Sequence, residues 1–172
     1  MEDEIINKVA ASALEVFDLE DYYPKGKRLQ IDIAQWLIEG FLLKEKEFRA
    51  ALKLHDWTQY EGAYVAINCS TDAIVPGWTK ILISLYLNEH AIFSASGTIE
   101  ELDSLLYKDI LAKIDFSEYQ NKMVIIKGCA RKPVPVNAYL IAAQLLQEFA
   151  KGIMYGEACS AVPLFKKSKA SI

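Results

Sequence analysis

Few residues in this chain are suited to metal binding or proton transfer. Its 172 residues include three cysteines and two histidines, and no two cysteines have the CxxC spacing of common zinc and redox motifs. An odd number of separated cysteines argues against a disulfide framework and predicts reduced thiols. Gly-rich phosphate loops and the HExxH and GxSxG motifs are also missing, so the sequence disfavours a nicotinamide-dependent enzyme.

Neither a membrane span nor a basic binding surface is predicted. No apolar run approaches the roughly 18 residues that a spanning helix needs, and the acidic residues 1–4 are unlike a secretory signal. The net charge of −4 disfavours nucleic-acid binding, and the lysines of residues 166–172 are interpreted as a solvated basic tail. We therefore expect a cytoplasmic protein that binds neither nucleic acid nor membranes. The 52% hydrophobic content predicts a single α/β domain over residues 1–165.

Extended apolar runs alternate with helical patterns along most of the chain. Four runs predict strands, over residues 63–68, 91–95, 123–128 and 153–156. The patterns between them predict helices, near residues 76–87, from residue 98 onward, and near 136–150. This alternation favours a three-layer α/β fold with a mostly parallel sheet and helical crossovers. Two earlier strand patterns, near residues 14–18 and 29–33, are expected as extra N-terminal strands at one edge of the sheet.

Helix starts and buried faces follow from the same patterns. Thr98 and Glu101 have the spacing of a capping box that opens a helix. The helical spacing in residues 76–87 predicts one buried face, made of Trp78, Ile81, Leu82 and Leu85. In residues 136–150 it predicts another, made of Ala138, Ile141, Ala142, Leu145, Leu146 and Phe149. A short helix over residues 3–11 and a charged helix over about 44–54 are also predicted.

One short pattern occurs twice with identical spacing. Residues 56–60 (DWTQY) precede the run Val65-Ala66-Ile67, and residues 115–119 (DFSEY) precede Val124-Ile125-Ile126. Both patterns are typical of a helix end or tight turn that leads into a strand. Because a solenoid would need at least three such units, we interpret the pair as recurrent local structure.

Each cysteine follows an apolar run that is predicted to be a strand. Cys69 and Cys129 come directly after their strands, and Cys159 follows after a short link. Ligands of open parallel sheets bind beyond the carboxyl ends of the strands, so we expect the three thiols at one edge. His55 and His90 precede strands and are expected at the opposite edge, too far away for proton transfer to a thiol. His55 also ends a predicted helix, where a protonated imidazole is favoured.

The three cysteines predict a thiolate metal site. Thiolates bind zinc and iron–sulfur clusters, and Asp72 and Glu157 are the nearest carboxylates for a fourth position. We therefore expect zinc or an iron–sulfur cluster, held by Cys69, Cys129 and Cys159 with Asp72 or Glu157. A protein of this kind would serve as an accessory factor.

Two other interpretations stay open. Lys127, Arg131 and Lys132 surround Cys129, and cations near a thiol lower its pKa and attract anions. Cys129 is therefore a candidate catalytic or redox cysteine of an enzyme that acts on an anionic small molecule. Alternatively, the three cysteines are small core residues of a structural or protein-interaction domain. The partner is then another protein, and an oligomer is compatible with each interpretation.

Several motifs resemble those of a bacterial family. They are residues 127–129 with 133–135, residues 154–163 (MYGEACSAVP), 18–24 (DLEDYYP), 43–49 (LKEKEFR) and 69–76 (CSTDAIVP). Together they span nearly the whole chain, and the family that they resemble is domain of unknown function 2480. This family has no established activity, so the resemblance implies no reaction, cofactor or site residue.

Overall fold

Strands and helices alternate in the computed structural model, which describes residues 14–128, 131–157 and 160–167. The strands are β1 (Leu14–Phe17), β2 (Lys27–Asp32), β3 (Ala63–Asn68), β4 (Phe93–Ser96), β5 (Met123–Lys127), β6 (Gly152–Gly156) and β7 (Val162–Lys166). The helices are α1 (Glu45–Leu54), α2 (Gly77–Leu87), α3 (Ile99–Leu111) and α4 (Val136–Phe149). The predicted α/β class with helical crossovers is confirmed. The helix predicted over residues 3–11 and most of the predicted tail lie outside the described residues.

The described strands form two sheets, whereas the sequence analysis assumed one. The first sheet has the order β1-β5-β6-β7 and the second has the order β2-β3-β4. Neighbouring strands are parallel in both sheets, except that β7 runs antiparallel to β6. The two N-terminal strands do lie at sheet edges, but in different sheets, because β1 pairs with β5 and β2 pairs with β3.

The chain divides into two compact units, and each unit contains one sheet. The central unit, Pro24–Leu105, contains β2, β3 and β4, and the terminal unit contains the described residues before and after it. Each unit has its own core of buried apolar side chains. Compactness does not measure folding cooperativity, so the single domain over residues 1–165 stays a prediction. No helix within the described ranges is long and apolar enough to cross a membrane.

The two units repeat one order of elements. In each, a 3₁₀ turn leads into a parallel strand, and a proline precedes the helix that follows. The next parallel strand has a glycine at its carboxyl end. The sequence offset is constant, and the corresponding pairs are Asp56 and Asp115, Pro76 and Pro135, and Gly97 and Gly156. The short repeat found in the sequence therefore extends over β3-α2-β4 and β5-α4-β6.

Corresponding positions of the repeat share conformation and burial. Asp56 accepts a hydrogen bond from the backbone N–H of Thr58 at 3.0 Å, and Asp115 accepts one from Ser117 at 2.9 Å. The two glycines have φ of 129° and 123°, a region that other residues rarely adopt. Three pairs on α2 and α4 are fully buried: Thr79 and Ala138, Ile83 and Ala142, and Leu87 and Leu146.

The predicted buried face is correct for α4 and half correct for α2, where Trp78 and Leu82 pack against the core as expected. On α4, Ala138, Ala142 and Leu146 are fully buried as expected. On α2, Ile81 and Leu85 were expected inside, but their exposed fractions are 62% and 64%. Apolar residues occur all round α2, so its spacing does not identify which face packs on the sheet.

Equivalent leucines on the two helices provide a stability test. Leu87→Ala and Leu146→Ala each remove buried methyl groups, and each should lower the free energy of unfolding by about 2–5 kcal/mol. Chemical denaturation followed by circular dichroism measures the change. Leu140→Ala is the control, because Leu140 is exposed on α4 and its loss should cost less than about 0.5 kcal/mol. A buried variant that is as stable as this control would contradict the assignment of the cores.

Candidate functional site

The strands that precede the three cysteines belong to different sheets. Cys69 follows β3 in the central unit, whereas β5 and β6, which precede the other two cysteines, lie in the terminal unit. Cys129 and Cys159 themselves lie outside the described residues. The single sheet on which the convergence of the three thiols was expected is therefore wrong, and the convergence itself stays a prediction. Among the residues that the structure describes, no group of three or more His, Cys, Asp and Glu side chains is placed to hold a metal ion.

Three residues lie level at the carboxyl edge of the central sheet. Asp32 at the end of β2 pairs with Asn68 at the end of β3. Ile67 pairs with Ser96, which places Gly97 beside Asn68 as the next row. This is the edge at which parallel α/β sheets bind ligands.

Asp32 fixes the loop that follows β3. Its Oδ1 accepts hydrogen bonds from the backbone N–H groups of Ala34 and Ser70, both at 3.0 Å. Its Oδ2 accepts a hydrogen bond from Ser70 Oγ at 2.5 Å. Burial raises the pKa of Asp32, but these hydrogen bonds outweigh it and hold the pKa below its ordinary value. The ionised carboxylate therefore ties the start of this loop to the end of β2.

Cys69 lines an open cavity of about 410 Å³ beyond this edge. Its thiol is partly buried and lies 3.4 Å from Thr71 Oγ1. Thr71 in turn donates a hydrogen bond to the backbone oxygen of Gly40 at 2.6 Å. The loop that carries the thiol is thus held at two points, by Asp32 and by Gly40.

Charged groups of both signs line the same cavity. Lys80 extends from α2 and donates a hydrogen bond from Nζ to Ser96 Oγ at 2.8 Å. Glu101 accepts a hydrogen bond from the backbone N–H of Thr98 at 2.7 Å, and Thr98 Oγ1 accepts one from the N–H of Glu101 at 3.2 Å. The predicted capping box is therefore confirmed, and the hydrogen bond from Thr98 lowers the pKa of Glu101. The carboxylate is fixed at the start of α3.

Asn68 is among the residues that line the cavity, and its amide oxygen has no partner in the described part of the chain. This oxygen, Oδ1, is buried. A buried polar atom without a partner costs about 1–3 kcal/mol.

An ion pair occupies the corresponding row of the terminal unit. Lys127 pairs with Gly156 across β5 and β6, and Phe17 pairs with Ile126, so Asp18 comes level with Lys127. Lys127 Nζ donates a hydrogen bond to Asp18 Oδ2 at 2.5 Å. Burial raises the pKa of Asp18, but the hydrogen bond from Lys127 and its charge hold the pKa below the ordinary value. The same hydrogen bond raises the pKa of Lys127.

Glu20 contacts the other two residues of the predicted anion-binding set. Its carboxylate accepts hydrogen bonds from the backbone N–H groups of Arg131 and Lys132, and that from Arg131 is the main cause of its lowered pKa. Lys132 Nζ donates to the backbone oxygen of Glu20 at 2.8 Å and lies 5.7 Å from the ring centre of Tyr23. The side chain of Arg131 is exposed. Lys127 is paired with Asp18, and Lys132 lies beside Glu20, so an anion would have to compete with these two carboxylates. Anion binding by Lys127, Arg131 and Lys132 stays a prediction.

The two predicted carboxylate ligands differ in their surroundings. Asp72 is exposed in the loop after β3 and is not among the residues that line the cavity with Cys69. Glu157 directly follows β6 and is partly buried. Its Oε1 is buried and has no hydrogen-bond partner among the described residues. Glu157 is therefore the stronger of the two as a ligand candidate.

Both histidines lie away from the cavity. The backbone oxygen of His90 accepts a hydrogen bond from Gly62 at the amino end of β3, as predicted. His55 packs edge-on against Trp36 and Trp57, with ring centroids 5.2 and 4.7 Å away. Burial lowers the pKa of His55. This direction is opposite to the one expected for an imidazole at a helix end, because desolvation disfavours the charged form more than the charge of Asp56 favours it.

A family model for DUF2480, described as a protein of unknown function, matches residues 3–167. The chain belongs to this family. No match was found among curated proteins or among solved structures. Membership of DUF2480 confirms the resemblance seen in the motifs, and the geometry of the strand ends carries the functional argument.

The aspartates that organise both sheet edges were not predicted from the sequence. Asp18 is the last residue of the strand pattern near 14–18, and Asp32 is the next-to-last residue of the pattern near 29–33, so both carry nearly the same signal as the cysteines. Asn68 directly precedes Cys69, and Lys80 is one helical turn beyond Pro76. Applying the carboxyl-end rule to every polar residue, rather than to thiols alone, would have found Asp18, Asp32 and Asn68.

Removing the Asp32 carboxylate should loosen the loop that carries Cys69. Asp32→Ala leaves the N–H of Ser70 without its acceptor and should lower the free energy of unfolding by about 1–3 kcal/mol at neutral pH. A carboxylate with a lowered pKa stabilises the fold above its unfolded pKa of about 3.9, and this stabilisation is lost as the pH falls through the folded pKa. The difference between parent and variant should therefore shrink below about pH 4.

Chemical denaturation at neutral and acidic pH measures this effect. Asp72→Ala is the matched control, because it removes an exposed carboxylate from the same loop. Equal stabilities of the two variants at neutral pH would show that Asp32 does not hold the loop.

Proposed function

We propose that the protein binds a small polar molecule in the central-unit cavity, beside the thiol of Cys69. The observation that carries this proposal is the position of the cavity, at the carboxyl edge of a parallel sheet. Its volume of about 410 Å³ lies within the range of small-molecule sites, about 300–1,000 Å³. Two anchored loop residues, Ser70 and Thr71, keep the wall beside the thiol in place.

The lining favours a small acid that also carries a hydrogen-bond donor. An ammonium group has three N–H donors, and Ser96 accepts one from Lys80. The charge of Lys80 also acts on the carboxylate of Glu101, and the two remaining donors would serve an anionic oxygen of the ligand. Asn68 also lines the cavity, and a rotation of its side chain that exposes the buried, unpartnered Oδ1 would give an N–H or O–H group of the same molecule an acceptor. Glu101 is bonded to the start of α3, and its charge disfavours ligands with more than one anionic group near it.

Cys69 gives the cavity a group that reacts with electrophiles. The enzymatic interpretation that the sequence attached to Cys129 therefore extends to Cys69, with the same class of anionic substrate. A thiol of this kind stays reduced in the cytoplasm, which is the location that we propose.

Alkylation of Cys69 tests the preference for an anionic ligand. Iodoacetate carries a carboxylate, whereas iodoacetamide is neutral and of similar size, so the ratio of their rates reports the local potential. We expect this ratio to exceed that of a small model thiol, and Lys80→Gln to lower it about fivefold, the loss of a charge interaction of about 1 kcal/mol. Peptide mass spectrometry assigns the modification to Cys69.

Lys53→Gln is the matched control, because Lys53 is an exposed lysine at the end of α1 that does not line the cavity. It should leave the rate ratio unchanged. A ratio equal to that of the model thiol and insensitive to Lys80→Gln would overturn the proposed anion-binding cavity.

A thiolate metal site in the terminal unit is the second candidate function. The observation that favours it is Glu157 Oε1, which is buried without a hydrogen-bond partner among the described residues. Gly128 N donates a hydrogen bond to the backbone oxygen of Gly156 at 3.3 Å, so β5 and β6 end side by side. Cys129 and Cys159 follow these two strand ends in the sequence. A zinc ion or iron–sulfur cluster bound by the two thiolates and Glu157 would give this oxygen a positive partner.

Metal analysis of protein purified without oxygen tests this second candidate. We expect about one metal site per chain, with a large loss of metal in Cys129→Ser and a weaker affinity in Glu157→Gln. Cys69→Ser is the control and should retain the metal, because Cys69 belongs to the other unit. Metal-free parent protein with three freely titrating thiols would rule out this function.

A further inference from the structure

The outer edge of β4 is open in the part of the chain that the structure describes. β4 pairs with β3 on one side and has no described strand on the other. Its residues, Phe93–Ser96, include no charged side chain and no proline. Natural proteins often place charged residues or proline on edge strands, because these residues prevent the strands from pairing with other chains. Of the usual protections within the strand itself, β4 therefore has only its short length of four residues.

The other edge strands do carry protective residues. Glu15 lies in β1, Lys27 lies in β2, and Pro163 and Lys166 lie in β7. Each of these features weakens the addition of a further strand, by charge or by removal of a backbone N–H. β4 is thus exceptional among the edge strands of the described sheets.

In the terminal unit, the strand that corresponds to β4 is covered by an antiparallel strand. β6 corresponds to β4, and its outer edge is covered by β7, which pairs with it antiparallel from Ile153 opposite Phe165 to Tyr155 opposite Val162. In the central unit the chain leaves β4 through Gly97 and enters α3 instead. The central unit has no corresponding described strand of its own to cover β4.

Exposed apolar side chains flank the open edge. Leu85 on α2 and Ile92 before β4 have exposed fractions of 64% and 56%, and Phe93 has 39%. They line a shallow cavity of about 360 Å³ between the end of α2 and β4, and every residue that lines it is uncharged. Apolar side chains grouped beside an unpaired strand are typical of an interface.

We propose that β4 pairs antiparallel with β4 of a second copy of this chain, across a two-fold axis. Such an axis brings the same edge of two copies together in antiparallel orientation, so one contact covers both edges. In this arrangement each patch meets itself, and a surface with one sign of charge would repel its copy. The uncharged patch beside β4 fits this requirement, although the chain as a whole carries a net charge of −4. The pairing does not depend on the proposed ligand or metal sites.

Sedimentation velocity over about 1 to 100 µM protein, the range in which a micromolar dimer forms, tests the proposal. We expect a species of twice 19.4 kDa at the upper concentrations. Leu85→Lys and Phe93→Lys place like charges across the two-fold axis, and each should raise the dissociation constant at least about tenfold. Leu140→Lys is the matched control, since Leu140 is similarly exposed on α4 in the terminal unit. It should leave the dissociation constant unchanged.

Hydrogen exchange of residues 93–96 provides an independent measurement. Protection of these amides should rise with protein concentration in the parent and in Leu140→Lys, but not in Leu85→Lys. Circular dichroism shows whether each variant folds, and Leu85→Lys decides the outcome if Phe93→Lys does not. A parent that stays monomeric at about 100 µM, or a dimer that is unaffected by both lysine variants, would overturn the proposal.

Discussion

An aspartate at the end of the first strand organises the carboxyl edge of each sheet. Asp32 and Asp18 both begin a 3₁₀ turn by accepting a hydrogen bond from the backbone two residues on, and both reach across to the neighbouring strand. Asp32 bonds to Ser70 just beyond β3, while Asp18 bonds to Lys127 at the end of β5. Because the carboxylate is shared by the turn and the neighbouring strand, it fixes where the following loop starts. The side chains that lie at the carboxyl edge of each sheet are positioned by this aspartate.

The two units share the repeated order of strands and helices, but they differ at the edges of their sheets. In the central unit the polar groups near Asp32 leave a cavity beside Cys69, and the last strand has an open edge. In the terminal unit Lys127 neutralises Asp18, and β7 covers the last strand. A repeated order that is stabilised by buried residues at corresponding helix positions, such as Leu87 and Leu146, tolerates these differences. The proposed ligand site and the proposed strand pairing both lie at the edges of the sheet, where the two units differ.

Local patterns predicted the elements well, but not the way in which the strands are shared between sheets. Alternating apolar runs identify strands because the pattern depends on each strand's own two faces. Strand order depends on pairings between residues far apart in the sequence, such as Phe17 with Ile126, and no local signal encodes them. The same limit applies to the cysteines, whose convergence was expected from a single sheet. It also explains α2, where apolar residues on every side left the buried face undetermined.

The row of residues at the strand ends gives the sharpest contrast between the two units. Asn68 and Lys127 each end the middle strand of their row, next to an aspartate on one side and a glycine on the other. A lysine at this position reaches the aspartate and completes an ion pair within the unit. The amide of Asn68 is shorter and uncharged, so it leaves Asp32 to the loop and keeps a buried oxygen without a partner. A buried acceptor of this kind persists at a cost to stability. Glu157 Oε1 carries the same kind of cost in the terminal unit. The proposed ligand is therefore assigned to the central unit by the cavity at the carboxyl edge of its sheet, and the unpartnered amide does not by itself decide between the two units.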